Sequence, residues 1–200
     1  MDVKTLNFQT MIGNDIVDLK TANRESNWQR SGYLQKIYTS EEQFLILNSK
    51  NSELMLWVIW SIKESVYKAN FRKNPVYEYA PLNFKISNLN QKHDCITAKT
   101  EFQKSIYYTT TQINRGFIHS MACEFEKDLD NINKIEVEDY SENYIEDLKA
   151  NKLISSSEDI KKDEFGIPML LNLKNNLQFP LSISHHGRYL GIIWSFNHTI

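Results

Sequence analysis

The chain has 200 residues, of which 41% are hydrophobic and 12% aromatic, and its formal net charge is −2. This composition can form a packed core in one domain or in two small ones. No apolar run approaches the roughly 18–20 residues of a membrane span, and the first fourteen residues lack the pattern of a signal peptide. Two cysteines without metal-ligand spacing fit a reducing compartment. We therefore expect a globular, cytoplasmic protein that does not enter membranes.

Charge is distributed unevenly along the chain. Residues 126–164 contain thirteen acidic residues against six lysines, a net charge of −7, which leaves +5 for the remainder. This balance does not favour binding to nucleic acid. Residues 20–36 form a basic stretch in which Glu25 is the only acid. Its basic residues are Lys20, Arg24, Arg30 and Lys36. The basic stretch is either a solvated helix face or a docking patch for an acidic partner.

The first predicted elements, in chain order, are a strand and several helices. Residues 11–18 predict a strand, and the basic stretch that follows predicts a helical segment. Residues 39–42 (TSEE) are typical of the start of another helix. We expect a long apolar helix to begin near Asn51 or Ser52. It should end before Pro75, because the residue that precedes a proline is disfavoured in helical conformation.

The remaining elements are mostly strands. Alternating and β-branched residues predict strands at 95–100, 105–112 and 117–126. The acidic stretch 131–157 predicts a linker plus a helix at about 142–153. A final pair of strands ends the chain.

A weak internal repeat indicates the fold class. Residues 108–122 and 181–193 both consist of a polar strand, a turn with Gly or Arg, and an apolar strand. This repeat predicts an α+β fold of two similar halves that form a pseudodimer, each a small antiparallel sheet packed with a long helix. We assign residues 1–127 to the N-terminal half and residues 128–200 to the C-terminal half. A generic hairpin pattern would produce the same likeness.

The long helix carries the first candidate site. Trp60, Glu64 and Lys68 are spaced by four residues and therefore share one helix face, with Lys63 beside them. A carboxylate flanked by two ammonium groups can hold a metal ion and a phosphate together. Taken alone, Glu64 would be an ordinary solvated residue that pairs with Lys68.

A second candidate is Asp15, which lies next to Gly13 at the end of an apolar strand. The missing side chain of Gly13 would let a ligand approach the backbone closely. Magnesium takes one or two protein carboxylates and completes its shell with water and substrate phosphate, so Asp15 and Glu64 would suffice. Taken alone, Asp15 is better explained as a turn or helix cap.

Both segments together resemble the two signatures of the 4'-phosphopantetheinyl transferases. Residues 13–19 (GNDIVDL) match Gly-x-Asp-Ile-(Val/Glu), and residues 60–68 (WSIKESVYK) match Trp-x-x-Lys-Glu-(Ala/Ser)-x-x-Lys. The resemblance implies an enzyme that transfers phosphopantetheine from coenzyme A to a serine of an apo acyl or peptidyl carrier protein, releasing adenosine 3',5'-bisphosphate.

The same resemblance implies roles for individual residues. Asp15 and Glu64 would bind Mg²⁺, and Lys63 and Lys68 would contact the pyrophosphate of coenzyme A. Glu64 and Lys68 would be catalytic, with Glu64 taking the proton of the carrier serine either directly or through a water on the metal.

A third segment extends the resemblance. Residues 165–168 (FGIP) and 179–190 (FPLSISHHGRYL) are similar to the family's Gly-x-Pro and (Asn/Ser)-Ile-Ser-His-Ser-Gly-x-(Trp/Tyr). This similarity implies that Ser184 and His185 contact the phosphates of coenzyme A. The adjacent histidines His185 and His186 would otherwise suggest a metal site, but no third nitrogen or sulfur ligand has a plausible spacing.

The order of the motifs points to a particular type. The Asp motif comes first and the Ser-His motif last, as in the short trimeric holo-acyl-carrier-protein synthases. The length is closer to that of the two-halved, surfactin-synthetase-activating type, which has the opposite order. We therefore expect a monomeric pseudodimer with its halves in swapped order and its active site between them.

Some positions depart from the family pattern. The longer type has a second acid where this chain has Val17, and Asp18, on a strand, would point away from Asp15. An arginine that the trimeric type places after its Asp motif would have to be replaced by Lys20 or Arg24. The candidates for binding the adenosine 3'-phosphate are Lys161 and Lys162.

Two other classes of function stay open. A carrier-binding module that has lost catalysis would fit the missing carboxylate at Val17. A structural α+β protein whose motifs match by chance is the other alternative.

Overall fold

The computed structural model describes residues 11–75 and 79–196, and they form two five-stranded sheets with helices beside them. The first half contains β1 (Ile12–Asp18), α1 (Leu19–Glu25), α2 (Tyr33–Ile37), α3 (Ser40–Asn48), α4 (Ser52–Lys73), β2 (Lys85–Lys92), β3 (Cys95–Phe102), β4 (Ser105–Ile113) and β5 (Phe117–Cys123). The second half contains β6 (Ile132–Glu138), α5 (Tyr144–Ala150), β7 (Glu158–Lys162), β8 (Pro168–Asn172), β9 (Gln178–His186) and β10 (Tyr189–Ser195).

The two sheets have the same topology. The strand orders are β1-β5-β4-β3-β2 and β6-β10-β9-β8-β7, and all neighbouring strands are antiparallel. In each sheet the first strand of the half therefore pairs with the last. The repeated segments of the sequence form the equivalent hairpins β4-β5 and β9-β10. The α+β fold with two similar halves is confirmed.

Local signals set the helix ends as predicted. The Thr39 hydroxyl accepts a hydrogen bond from the backbone of Glu42, whose side chain accepts one from the backbone of Thr39, so a capping box begins α3. Asn51 caps α4 through its side chain, and the helix ends at its C-cap, Asn74. The apolar face of α4 packs on the first sheet and forms much of its core.

The second half differs from the sequence prediction in two ways. Its helix, α5, has seven residues, so the expectation of a long helix in each half is wrong for this half. The predicted linker at the start of the acidic stretch is partly wrong as well, because β6 lies there and pairs with β10. The sheet assignment changes between β5 and β6, and the exact domain division at 127/128 stays a prediction.

Close packing of β1 against α4 positions the first strand. A Cβ atom at Gly13 would lie 2.2 Å from the Ser65 carbonyl oxygen and 2.4 Å from the Ala69 nitrogen. Only glycine permits this backbone approach, because the neighbouring atoms belong to a helix backbone that cannot move aside.

No described helix is long and apolar enough to cross a membrane.

We expect Gly13→Ala to lower the free energy of unfolding by about 3 kcal/mol, because the added methyl group overlaps the backbone of α4. Denaturant unfolding monitored by tryptophan fluorescence measures the change. Gly32→Ala is the matched control: no atom lies within 4 Å of its Cβ position, so only its φ of +79° opposes the substitution, at a cost of about 1 kcal/mol. Equal losses for both variants would contradict the proposed packing constraint.

Candidate active site between the two halves

Asp15 lies on β1 and faces α4. Its side chain is largely buried, and its Oδ1 atom is 3.3 Å from the Lys68 ammonium nitrogen. The other oxygen, Oδ2, is buried and has no hydrogen-bond partner among the described residues. The Ser61 hydroxyl donates a hydrogen bond of 3.2 Å to the Asp15 main-chain carbonyl, which fixes the strand against the helix. One carboxylate oxygen of Asp15 is therefore left for a ligand.

Glu64 lies beside Asp15 in the same environment. Burial and the negative charge of Asp15 raise the pKa of Glu64 to about 7, although Lys68 and the nearby Tyr79 hydroxyl act in the opposite direction. The Tyr79 hydroxyl is itself buried beside Glu64. Since the charge of Asp15 disfavours ionisation of Glu64, a bound cation would stabilise the ionised form of Glu64.

A cavity of about 270 Å³ opens next to Lys68. Its walls come from both halves: Tyr67, Lys68, Phe71 and Arg72 on α4, together with residues 166–168 and 182–183. The cavity combines aromatic surface with a lysine, as a site for a ligand with an apolar part and an anionic part requires.

Arg72 connects the halves at the inner end of this cavity. Its guanidinium group donates hydrogen bonds to the carbonyl oxygens of Ile12, at 3.0 Å, and Pro168, at 2.9 Å, and to that of Leu181. Burial lowers the pKa of Arg72 to about 10, while Asp163 raises it. Sequence analysis missed Arg72, but the signal was present, because Trp60, Glu64, Lys68 and Arg72 continue one spacing of four.

Lys63 is not part of this site. Its side chain is fully buried on another face of α4, where its ammonium nitrogen is 2.6 Å from Glu42. It also donates hydrogen bonds of 2.9 Å to the carbonyl oxygens of Ile37 and Pro81. These three acceptors use its three N–H groups, so we correct the prediction that Lys63 contacts pyrophosphate and assign it a structural role.

The Ser-His motif is divided between two faces of β9. Ser184 is buried, and its hydroxyl accepts a hydrogen bond of 3.0 Å from the Asn14 side chain. His185 is exposed, and its ring lies 5.9 Å from that of Tyr140. His186 accepts a hydrogen bond of 3.0 Å from the backbone nitrogen of Asp18 rather than lying free in a turn. Of the two predicted phosphate contacts, His185 is the accessible one.

Asp18 is the N-cap of α1. Burial raises its pKa, but hydrogen bonds from Thr21, from the Arg188 backbone and from the Lys20 backbone outweigh this and lower it. A Cβ at Gly187 would lie 2.4 Å from its Oδ2 atom, so the β9-β10 turn closes directly over the carboxylate. Asp18 therefore joins the two halves. Separately, the described residues contain no group of three or more His, Cys, Asp or Glu side chains that could hold a metal ion.

The chain belongs to the 4'-phosphopantetheinyl transferase superfamily. The family model of that description matches residues 11–123, which is more than half of the chain and includes all of β1 to β5. No curated protein matches the chain. Members of the superfamily transfer phosphopantetheine and use coenzyme A as a substrate, so the chain is a transferase of this class. The chance-likeness alternative is thereby wrong.

We expect Lys63→Met to lower the free energy of unfolding by about 3–5 kcal/mol, because it leaves Glu42 buried and charged without its partner. Adding Glu42→Gln should restore part of the loss. On the same helix, Lys73→Met removes an exposed pair with Glu124 and should cost less than about 1 kcal/mol. If Lys63→Met unfolds like the parent but no longer binds coenzyme A, the structural role is wrong.

Proposed function

We propose that this protein transfers the 4'-phosphopantetheine of coenzyme A to a serine of an apo acyl or peptidyl carrier protein, with Mg²⁺, as a holo-acyl-carrier-protein synthase that works as a monomeric pseudodimer in the cytoplasm. The observation that carries the proposal is the pairing of Asp15 with Glu64, beside Lys68, next to a cavity between the halves.

The donor set fits magnesium. Asp15 offers a buried oxygen without a hydrogen-bond partner among the described residues, and Glu64 offers a carboxylate whose ionised form needs a positive charge. Two carboxylates are the number that this ion commonly takes from a protein when a substrate phosphate is present. Once bound, Mg²⁺ would neutralise charge on the pyrophosphate of coenzyme A.

The reaction forms a bond between the serine oxygen and the β-phosphorus of coenzyme A. The bond from that phosphorus to the oxygen bridging the two phosphates breaks, and adenosine 3',5'-bisphosphate leaves with the electron pair. Glu64 would accept the serine proton, either directly or through a water on the metal. Lys68 is suited to stabilise the charge on the leaving pyrophosphate oxygens as a point charge.

The remaining contacts of coenzyme A come from the second half. His185 is exposed at the end of β9 and can donate a hydrogen bond to a phosphate. Position and electrostatics supply most of the catalysis in phosphoryl transfer, so few residues are needed.

The basic stretch 20–36 is the proposed docking surface for the carrier protein. All four of its basic side chains are exposed, and the stretch begins two residues after Asp18, where β1 ends. Arg24 pairs with Glu25 at 2.9 Å, with both side chains well exposed, so its charge stays available to a partner.

We expect Asp15→Ala and Glu64→Gln each to abolish transfer while the protein stays folded, because each removes a proposed metal ligand. The assay incubates the protein with coenzyme A, Mg²⁺ and a panel of apo carrier proteins, and mass spectrometry detects each carrier that gains a phosphopantetheine arm. Glu53→Gln is the control, since Glu53 lies on the same helix about 16 Å from Glu64 along the axis.

Near-normal transfer by both variants would refute the assignment. If the parent protein binds carrier with or without Mg²⁺ but transfers nothing to any carrier, the chain is a binding module instead. Calorimetry with and without Mg²⁺ separates these outcomes.

We expect the double variant Arg24→Glu, Arg30→Glu to raise the KM for the carrier about tenfold with little change in kcat, because it reverses charge on the docking surface without touching the site. Its control is Lys104→Glu, Lys127→Glu, which makes the same charge change on exposed residues at the opposite end of the first sheet. An equal rise in KM for both double variants would indicate a general charge effect and no defined docking surface.

A further inference from the structure

A buried polar chain connects the strand that carries Asp15 to the second half. Asn14 occupies the variable position of the Gly-x-Asp motif and is completely buried. Its side-chain nitrogen lies 3.0 Å from each of three atoms: His119 Nε2, Ser184 Oγ and the Gly191 carbonyl oxygen. Its backbone nitrogen donates a hydrogen bond of 3.1 Å to the Ser182 hydroxyl.

Chemistry fixes the direction of these hydrogen bonds. The Gly191 carbonyl oxygen can only accept, so the nitrogen of the Asn14 amide must be the atom that faces it. The amide nitrogen has only two protons for three acceptors, so Ser184 Oγ and His119 Nε2 share the second one. His119 Nε2 is therefore an acceptor toward this nitrogen. Its other ring nitrogen, Nδ1, then carries the proton and donates to Glu136, whose oxygen is 2.7 Å away. His119 is buried, and Glu136 on β6 is partly exposed.

The glycine at 191 makes room for this arrangement. A Cβ there would lie 2.9 Å from His119 Nε2 and 3.1 Å from the Asn14 amide nitrogen. The side chains of His119 and Asn14 thus fill the space that a side chain at position 191 would occupy, and β10 approaches β1 closely.

We propose that Asn14 and His119 are positioning residues, which hold β1 so that Asp15 faces Glu64 at the distance that a shared cation requires. Neighbouring residues on a strand point to opposite sides, so anchoring Asn14 to the second half directs Asp15 toward α4. This inference rests on the proposed role of Asp15 as a metal ligand. His119 acts through the acceptor at Nε2, with Glu136 holding the tautomer.

Two substitutions at His119 separate positioning from packing. In His119→Gln the side-chain amide reaches the place of Nε2 and can accept from Asn14, while the donor to Glu136 is lost. In His119→Asn the amide reaches only the place of Nδ1, so the donor to Glu136 is kept and the acceptor for Asn14 is lost. Both variants replace the imidazole by a smaller amide, which makes them a matched pair.

We expect His119→Asn to weaken the affinity for Mg²⁺ at least about tenfold. The affinity of His119→Gln should stay within about threefold of that of the parent protein. Calorimetric titration of Mg²⁺ in the presence of coenzyme A, without carrier, measures binding directly. The Mg²⁺ dependence of kcat provides a second measurement, and melting temperatures without metal report the structural effect.

A second pair covers the case in which His119→Asn does not fold. Glu136→Gln keeps an acceptor for the Nδ1 proton, whereas Glu136→Ala removes it, and the residue is exposed enough for both to be tolerated. We expect Glu136→Ala, but not Glu136→Gln, to weaken the affinity for Mg²⁺ about threefold or more.

Equal effects of the two His119 variants on Mg²⁺ binding, or equal effects of the two Glu136 variants, would overturn the proposal and leave a packing role. Unchanged Mg²⁺ binding in all four would overturn it too. In each of these cases the parent still binds Mg²⁺ and transfers phosphopantetheine. If the parent does neither, it is the proposed function that fails.

Discussion

The backbone contact between β1 and α4 at Gly13 is the constraint on which the candidate site depends. The strand crosses the helix so closely that no Cβ fits between them. Two residues further along the strand, Asp15 lies beside Lys68, and the charge of Asp15 contributes to the raised pKa of Glu64. The Ser61 hydroxyl also donates to the Asp15 carbonyl oxygen, so the backbone that carries the carboxylate is fixed against α4. One of its oxygens is thus left open in a rigid setting.

The electrostatic consequence is a site short of positive charge. The buried Asp15 and the half-buried Glu64 face one partly exposed lysine, and burial together with the charge of Asp15 raises the pKa of Glu64 to about 7. The guanidinium group of Arg72 is turned toward backbone carbonyls of both halves, which accept hydrogen bonds from its Nε and Nη2 atoms, while Nη1 is buried without a hydrogen-bond partner among the described residues. Lys63 is likewise committed to Glu42. Under the proposed function, a divalent cation would supply positive charge beside these carboxylates when the anionic substrate binds.

The sequence predicts well what depends on neighbours along the chain. The capping box of α3, the cap at Asn51 and the strands β3 to β5 all follow from short patterns, and the spacing of Glu64 and Lys68 places them on one face. It fails where a partner comes from a distant element. Lys63 stands next to Glu64 in the motif, yet about 100° of helix rotation turns it toward α3. Similarly, the apolar alternation of Ile135 and Val137 in β6 is short and lies among charged residues, so pairing with β10 is what identifies the strand.

Two halves of equal topology contribute unequally to the site. The first half supplies a long helix with Glu64 and Lys68, whereas the described second half has only the seven-residue α5 beside its sheet. Among its described residues the second half has no helix long enough to mirror α4, so the side chains of α4 have no counterpart there. In the second half, residues 166–168 line the cavity, and Ser184 on β9 and Gly191 on β10 form hydrogen bonds with the Asn14 side chain. The two halves therefore share a topology but differ in the helices and side chains that they bring to the candidate site.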